Sequence, residues 1–165
     1  MCGICGILYD NSSAIVDADV LRRMTASLAH RGPDDEGIYA NQHVGIGNCR
    51  LSIIDLDGGP QPISNEDETL WIVCNGEIYN YRLLRQELER QGHRFRTRTD
   101  VEVIVHLYEE RGERCVEELS GMFAFAIWDS RAQKLVLARD RIGQKPLFYA
   151  RQGKDFYFAS EVKAI

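Results

Sequence analysis

At 165 residues the chain fits one domain, long enough to bury about two-thirds of the surface its unfolded form exposes. Apolar residues make up 44% and charged residues 27%, and no apolar run approaches the ~20 residues of a membrane-spanning helix, which argues against both a disordered segment and a membrane protein. A net charge of -5 with dispersed Lys and Arg argues against a nucleic-acid surface; five Cys with no secretory leader point to a reducing cytoplasm rather than a disulfide framework.

In chain order, Cys5 to Tyr9 reads as a buried strand ended by the turn Asp10-Asn11-Ser12-Ser13. Asp17 to Ala29 reads as a helix with Val20, Leu21, Met24 and Leu28 on one face and acids in its first turn. The stretch HRGPDDEG is a loop by its Gly, Pro and Asp content. Strands are expected at Gly37 to Ala40, Val44 to Asn48 and Thr69 to Cys74, with an irregular segment around Gly58-Gly59-Pro60 and Pro62. Asn80 caps a helix to Gln91 that Gly92 stops, and Asp100 caps a helix to Arg111 halted by Gly112. From Met122 the pattern alternates: MFAFAIWD, a turn at Ser130 to Gln133, KLVLARD, PLFYA and DFYFAS are four strands suited to antiparallel pairing. Strand, helices and then a run of strands give an α+β layered domain. The final SEVKAI begins a helical pattern too short to stand alone, so a further domain is expected after Ile165.

The chemistry concentrates at the opening MCGICG. Cys2 and Cys5 form a C-x-x-C, but no strand precedes them to deliver a redox pair to a helix. Cys49, Cys74 and Cys115 are single, without a second C-x-x-C or a nearby His pair to complete a zinc site; they read as buried apolar fillers, and no metal is expected. Position 2 offers something else. Once Met1 is removed, Cys2 carries a thiol nucleophile and an α-amine that can take the thiol's proton, the logic of an N-terminal nucleophile hydrolase. Such a residue suits acyl transfer from an amide through a thioester, and Gly3 lets a substrate approach the backbone closely. Among the four His residues, His30 in HRGPD is the strongest candidate for a role, with turn packing the simpler reading.

The stretches MCGICG, HRGPDDEG, RLSIIDLDGGPQP, VCNGEIYNY, TDVEVIVHLYEERG, LSGMFAFAIWD, RDRIGQKPLFY and FASEVKAI run from one end of the chain to the other. Together they resemble the glutaminase domain of glutamine-hydrolysing asparagine synthetases, class II glutamine amidotransferases. The resemblance implies a four-layer αββα sandwich of two antiparallel sheets between helices. It also implies hydrolysis of glutamine to glutamate and ammonia, with Cys2 as nucleophile. In RLSII, Arg50 with Leu51, Ser52, Ile53 and Ile54 would form the glutamine-binding strip, Arg50 taking the α-carboxylate through its planar fork. Asn75 and Gly76 would supply the oxyanion hole, through a side-chain amide and a backbone N–H, with Glu77 beside them. Asp100 would hold the substrate ammonium.

Each assignment competes with a plainer one: Arg50 as a surface residue, Asn75-Gly76 as a turn, Asp100 as a helix N-cap. Asn48, Cys49 and Thr99 depart from the family's usual residues, away from where its chemistry is carried. No cofactor is expected within this domain. ATP and Mg belong to the synthetase domain expected downstream, where the ammonia would make asparagine from aspartate. A homodimer stays open, as do two other readings: an amidotransferase serving another ammonia acceptor, and a catalytically silent binding module of the same fold.

Overall fold

The computed structural model describes residues 1–11, 13–51 and 59–165. Ser12 in the first turn and Gly58 in the irregular segment lie outside them. The first strand, β1 (Gly3–Leu8), is followed by α1 (Ala18–Ala26), β2 (Asp35–Asn41), β3 (Val44–Arg50), β4 (Ile63–Ser64) and β5 (Leu70–Ile78). Then come α2 (Tyr81–Gln91), α3 (Glu102–Arg111), a single turn α4 (Cys115–Glu118), β6 (Gly121–Asp129), β7 (Lys134–Arg139), β8 (Phe148–Gln152) and β9 (Asp155–Ala159). The strands form two antiparallel sheets, ordered β2-β3-β1-β9-β8 and β4-β5-β6-β7. The terminal SEVKAI closes as a 3-10 turn at Val162–Ala164.

Strand alternation builds three apolar layers. On β1, Cys5 and Ile7 face α1, where they meet Leu21, Met24 and Leu28, while Ile4 faces the other sheet and packs with Ile46, Val73, Ala124, Ala126 and Phe158. On the far side of the second sheet, Ile72, Cys74, Phe123, Phe125 and Ile127 meet Leu84 and Leu88 of α2 and Val103, Ile104 and Leu107 of α3. The layers are therefore helix, sheet, sheet, helix, the expected αββα sandwich. Each fully buried Leu or Ile contributes about 1.5–3 kcal/mol. Helix α3 is buried from Glu102 to Tyr108, which explains why its sequence shows apolar residues all round instead of one stripe.

Several boundaries move. Asp17, expected within the first turn of α1, is instead its N-cap and accepts from Asp19 N at 2.8 Å, whereas Gly92 ends α2 in the left-handed region at φ 105°, as expected. Asn80 does not cap α2 with its side chain: it accepts from Ser120 N and donates to Glu118 O, tying α2 to the chain before β6. Asp100 does not cap α3 either, whose N-cap is Val101. Strand β5 runs four residues beyond the expected Cys74, through Asn75, Gly76 and Glu77 to Ile78.

Candidate active site

The site sits where the start of β1, the end of β3 and the end of β5 meet. Cys2 precedes β1, whose Gly3 pairs with Cys49 of β3. Its thiol lies 3.7 Å from Leu51 O and 3.4 Å from Leu51 N, so the residue after β3 contacts the sulfur through its backbone. Arg31, from the HRGPD loop, donates from Nε to Cys2 O at 3.0 Å and from Nη1 to Glu161 Oε1 at 2.8 Å, while its own carbonyl accepts from the Met1 ammonium at 3.0 Å. The hydrogen bonds of Arg31 and His30 pull the Glu161 carboxyl down to about 2, so it stays ionised as their anchor. Arg31 thus fixes the main chain around Cys2. Its neighbour His30, the strongest candidate among the four His but with turn packing as the simpler reading, is an exposed partner of Glu161. The only sequence signal for Arg31 was its place in a Gly-Pro loop.

Of the five cysteines, Cys2 alone is half-buried; the other four are buried, and all are free. Burial pushes the Cys5 thiol up to about 12, those of Cys49 and Cys115 up to about 11, and that of Cys74 well above its usual range. Cys49, Cys74 and Cys115 are protonated fillers, as expected, and Cys5 joins them. Cys5 points toward α1 and Thr25, so the C-x-x-C is not a working pair. Gly3 is also required by packing: a Cβ there would stand 2.8 Å from Leu28 Cβ of α1.

Arg50, Leu51, Gln61, Gly76, Glu77, Thr99, Asp100 and Val101 line one cleft. The plainer readings of three of them fail. Arg50 is 7% exposed at the end of β3, not a surface side chain. Asn75 and Gly76 are not a turn: they lie within β5, opposite Ala124 and Phe123 of β6. A Cβ at Gly76 would come 2.7 Å from Phe123 Cα, so β6 approaches too closely for any other residue. Asp100 is 4% exposed and accepts from Ile78 N at 2.7 Å and Thr99 Oγ1 at 3.2 Å. Burial, aided by the nearby Glu77 carboxylate, raises the Asp100 carboxyl above its ordinary range despite these hydrogen bonds.

Asn75 is 1% exposed, and its Nδ2 has no hydrogen-bond partner among the described residues. A buried amide donor without a partner is costly, which marks it as a position shaped by something other than stability. Ser52, Ile53 and Ile54 lie outside the described residues. A roomier cavity of about 530 Å3 lies beside Leu8 and Tyr9, at the other end of β1 from Cys2, and holds none of the expected site residues.

The family model that describes the glutamine amidotransferase domain matches residues 1–165. The chain is 44% identical to asparagine synthetase [glutamine-hydrolyzing] 3 of Bacillus subtilis (strain 168) over 100% of its own length and 27% of that protein's. It is 45% identical to asparagine synthetase [glutamine-hydrolyzing] 2 of Arabidopsis thaliana, again over 100% of itself and 28% of the relative. The chain therefore spans little more than a quarter of the length of these relatives. Among solved structures, the glutamine phosphoribosylpyrophosphate amidotransferase from B. subtilis, complexed with ADP and GMP, superposes with a TM-score of 0.81 at 25% identity, over 99% of this chain and 42% of that one.

Proposed function

The chain belongs to the glutamine amidotransferase domain family, and from that premise we propose that it hydrolyses the side-chain amide of glutamine to glutamate and ammonia. The single observation that carries this reading is the buried Asn75 amide, whose Nδ2 has no partner among the described residues, on the strand that also brings Gly76 to the Arg50–Asp100 cleft. A donor held ready for a charge that exists only on the reaction path has its stabilising effect in the transition state.

In this mechanism the active form begins at Cys2. The thiol proton passes to the residue's own α-amine, and the sulfur attacks the glutamine amide carbon. The carbonyl becomes an oxyanion held by Asn75 Nδ2 and Gly76 N–H. As the intermediate collapses, the C–N bond breaks and the α-ammonium returns the proton to the departing ammonia. Water then attacks the thioester, the C–S bond breaks, and glutamate leaves with the thiol restored. Arg50 would bind the substrate α-carboxylate and Asp100 its ammonium, so the cleft reads both charged ends of a free amino acid. Arg31 positions Cys2 by holding its carbonyl.

The relatives' greater length supports a synthetase portion beyond Ile165 that consumes the ammonia to make asparagine from aspartate, with ATP and Mg bound there and not here. A cytoplasmic location fits the five free thiols. A second reading keeps the glutaminase step and changes the acceptor, because the same fold occurs in the phosphoribosylpyrophosphate amidotransferase. In the full-length protein, Cys2→Ala should abolish glutamine-dependent asparagine formation and leave ammonia-dependent formation intact. Glutamate release by the Cys2→Ala protein would overturn the assignment of the nucleophile. Asparagine formed from neither donor by the unaltered protein would move the acceptor elsewhere.

A further inference from the structure

On the outer, helical side of the second sheet, four side chains converge: Glu66 after β4, His93 after α2, and His106 and Glu109 on α3. One ligand-type atom from each lies within 4.8 Å of all the others. His106 Nδ1 is 3.0 Å from Glu109 Oε2 and 3.4 Å from Glu66 Oε2. His93 Nδ1 is 3.5 Å from Glu109 Oε2 and 3.9 Å from Glu66 Oε1. Two imidazole nitrogens and two carboxylate oxygens bound at about 2.0–2.2 Å to a tetrahedral ion would stand roughly 3.3–3.6 Å apart. The observed separations bracket that spacing.

The surroundings are arranged in the same sense. Both rings turn Nδ1 to the shared centre; His93 Nε2 is hydrogen-bonded to Glu110 Oε1 at 3.0 Å, whereas the buried His106 Nε2 lies 3.8 Å from Glu102 Oε1 and has no hydrogen-bond partner among the described residues. The Glu110 carboxylate fixes the tautomer of His93 and raises its basicity as a metal ligand. Glu102 is fully buried and held by Arg96 N, Thr97 N and Thr97 Oγ1 at 2.6–2.7 Å. Neutral donors also orient the inner carboxylates. Arg94 N binds Glu66 Oε1 at 2.8 Å, and Asn65 Nδ2 binds Glu109 Oε1 at 2.9 Å, which leaves Glu66 Oε2 and Glu109 Oε2 turned to the imidazoles. Phe95 packs against His106, closing one side.

We propose that Glu66, His93, His106 and Glu109 form a structural site for a divalent cation of the zinc class, which suits a tetrahedral set of two imidazoles and two carboxylates. The ion would tie together the β4–β5 connection, the α2–α3 connection and α3. The α2–α3 connection is the one that delivers Thr99 and Asp100 to the cleft.

The test uses the full-length protein stripped with a chelator and titrated with Zn2+ alone, beside His93→Gln and Glu66→Gln, whose side chains are partly exposed. Native circular dichroism qualifies each variant, and either one suffices if the other fails to fold. The expected result is one more equivalent of Zn2+ bound by the unaltered protein than by the variant. Co2+ should give it a visible absorption band of tetrahedral intensity that the variant lacks, and Zn2+ should raise its Tm but not the variant's. Glu110→Gln, a positioning change, should weaken Zn2+ binding about 10- to 100-fold. Equal Zn2+ uptake and equal Tm shifts in the unaltered protein and the variant would overturn the proposal and leave a metal-free His–Glu ion cluster.

Discussion

The backbone N–H of Ile78, the last residue of β5, donates to the Asp100 carboxylate at 2.7 Å, so the residue assigned to the substrate ammonium also closes the end of the strand that carries Asn75 and Gly76. In the proposed mechanism, binding and folding would share this one side chain. Asp100→Ala would leave the buried Ile78 N–H without its acceptor, costing about 1–3 kcal/mol of stability as well as the substrate contact. Asp100→Asn keeps an acceptor for Ile78 and removes only the charge. The expected outcome for Asp100→Asn is a KM for glutamine raised about 10- to 150-fold, from a lost charge-assisted contact of about 1.5–3 kcal/mol. An unchanged KM in steady-state glutaminase assays would remove Asp100 from the binding site.

The pH dependence of that contact has a definite sign. The Asp100 carboxyl is raised above its ordinary value of 3.8 by burial, and only the ionised form attracts an ammonium. Glutamine affinity is therefore complete above the raised pKa and falls as pH drops through it, up to about tenfold per unit below. Stability runs the other way: a raised carboxyl favours the fold below the unfolded value, and that contribution is lost as pH rises through the folded one. At neutral pH, Asp100→Asn should thus unfold no more easily than the unaltered protein while binding glutamine worse. Urea titrations at pH 7 check this, and a clearly lowered midpoint for Asp100→Asn would contradict it.

For Asn75→Ala the kinetic parameters should separate. The Nδ2 atom has no ground-state partner among the described residues, so its removal breaks no visible hydrogen bond. Turnover should fall about 100- to 1000-fold with KM nearly constant, the mark of a donor used only on the reaction path. A parallel rise in KM, or a loss of activity that tracks unfolding, would point to a structural role.

Retention of Met1 should abolish glutaminase activity, because with Met1 attached the Cys2 nitrogen is a non-basic amide. Met1 is 54% exposed; among the described residues its ammonium donates to the Arg31 carbonyl and its sulfur accepts from Lys145 Nζ at 3.6 Å, so little of the fold depends on it. Intact mass spectrometry of active and inactive fractions gives the comparison: active material should be one Met residue lighter. Glutamine hydrolysis at full rate by Met1-bearing protein would require another base for Cys2.

Legibility in the sequence followed the range of the interaction. The α+β layering, helix α1, the Gly92 stop and the four C-terminal strands were readable because periodicity and turn residues act over a few positions, while the αββα sandwich came from the family resemblance. The buried character of Cys49, Cys74 and Cys115 was readable for the same reason. Other features depended on partners far along the chain. Asn75-Gly76 has the local signature of a turn, yet pairing with β6, 46 or more residues on, draws the dipeptide into a strand. Asn80 and Asp100 look like caps, but Ser120 N and Ile78 N claim them.

By itself, then, the sequence determined the layers, through hydrophobic period, and a set of site residues, through motifs that resemble a family. Only the tertiary structure decided how the site is assembled. Adjacent hairpins β6–β7 and β8–β9 look alike as alternating runs, but they join different sheets, and β9 pairs with β1 beside the nucleophile. The Arg31 clamp on Cys2 likewise joins residues 29 positions apart, and the Glu66–His93–His106–Glu109 cluster spans 43 positions. Those contacts form because burying both faces of each sheet fixes where the chain ends and connections must lie, a constraint that belongs to the packed molecule and leaves no local pattern in the chain.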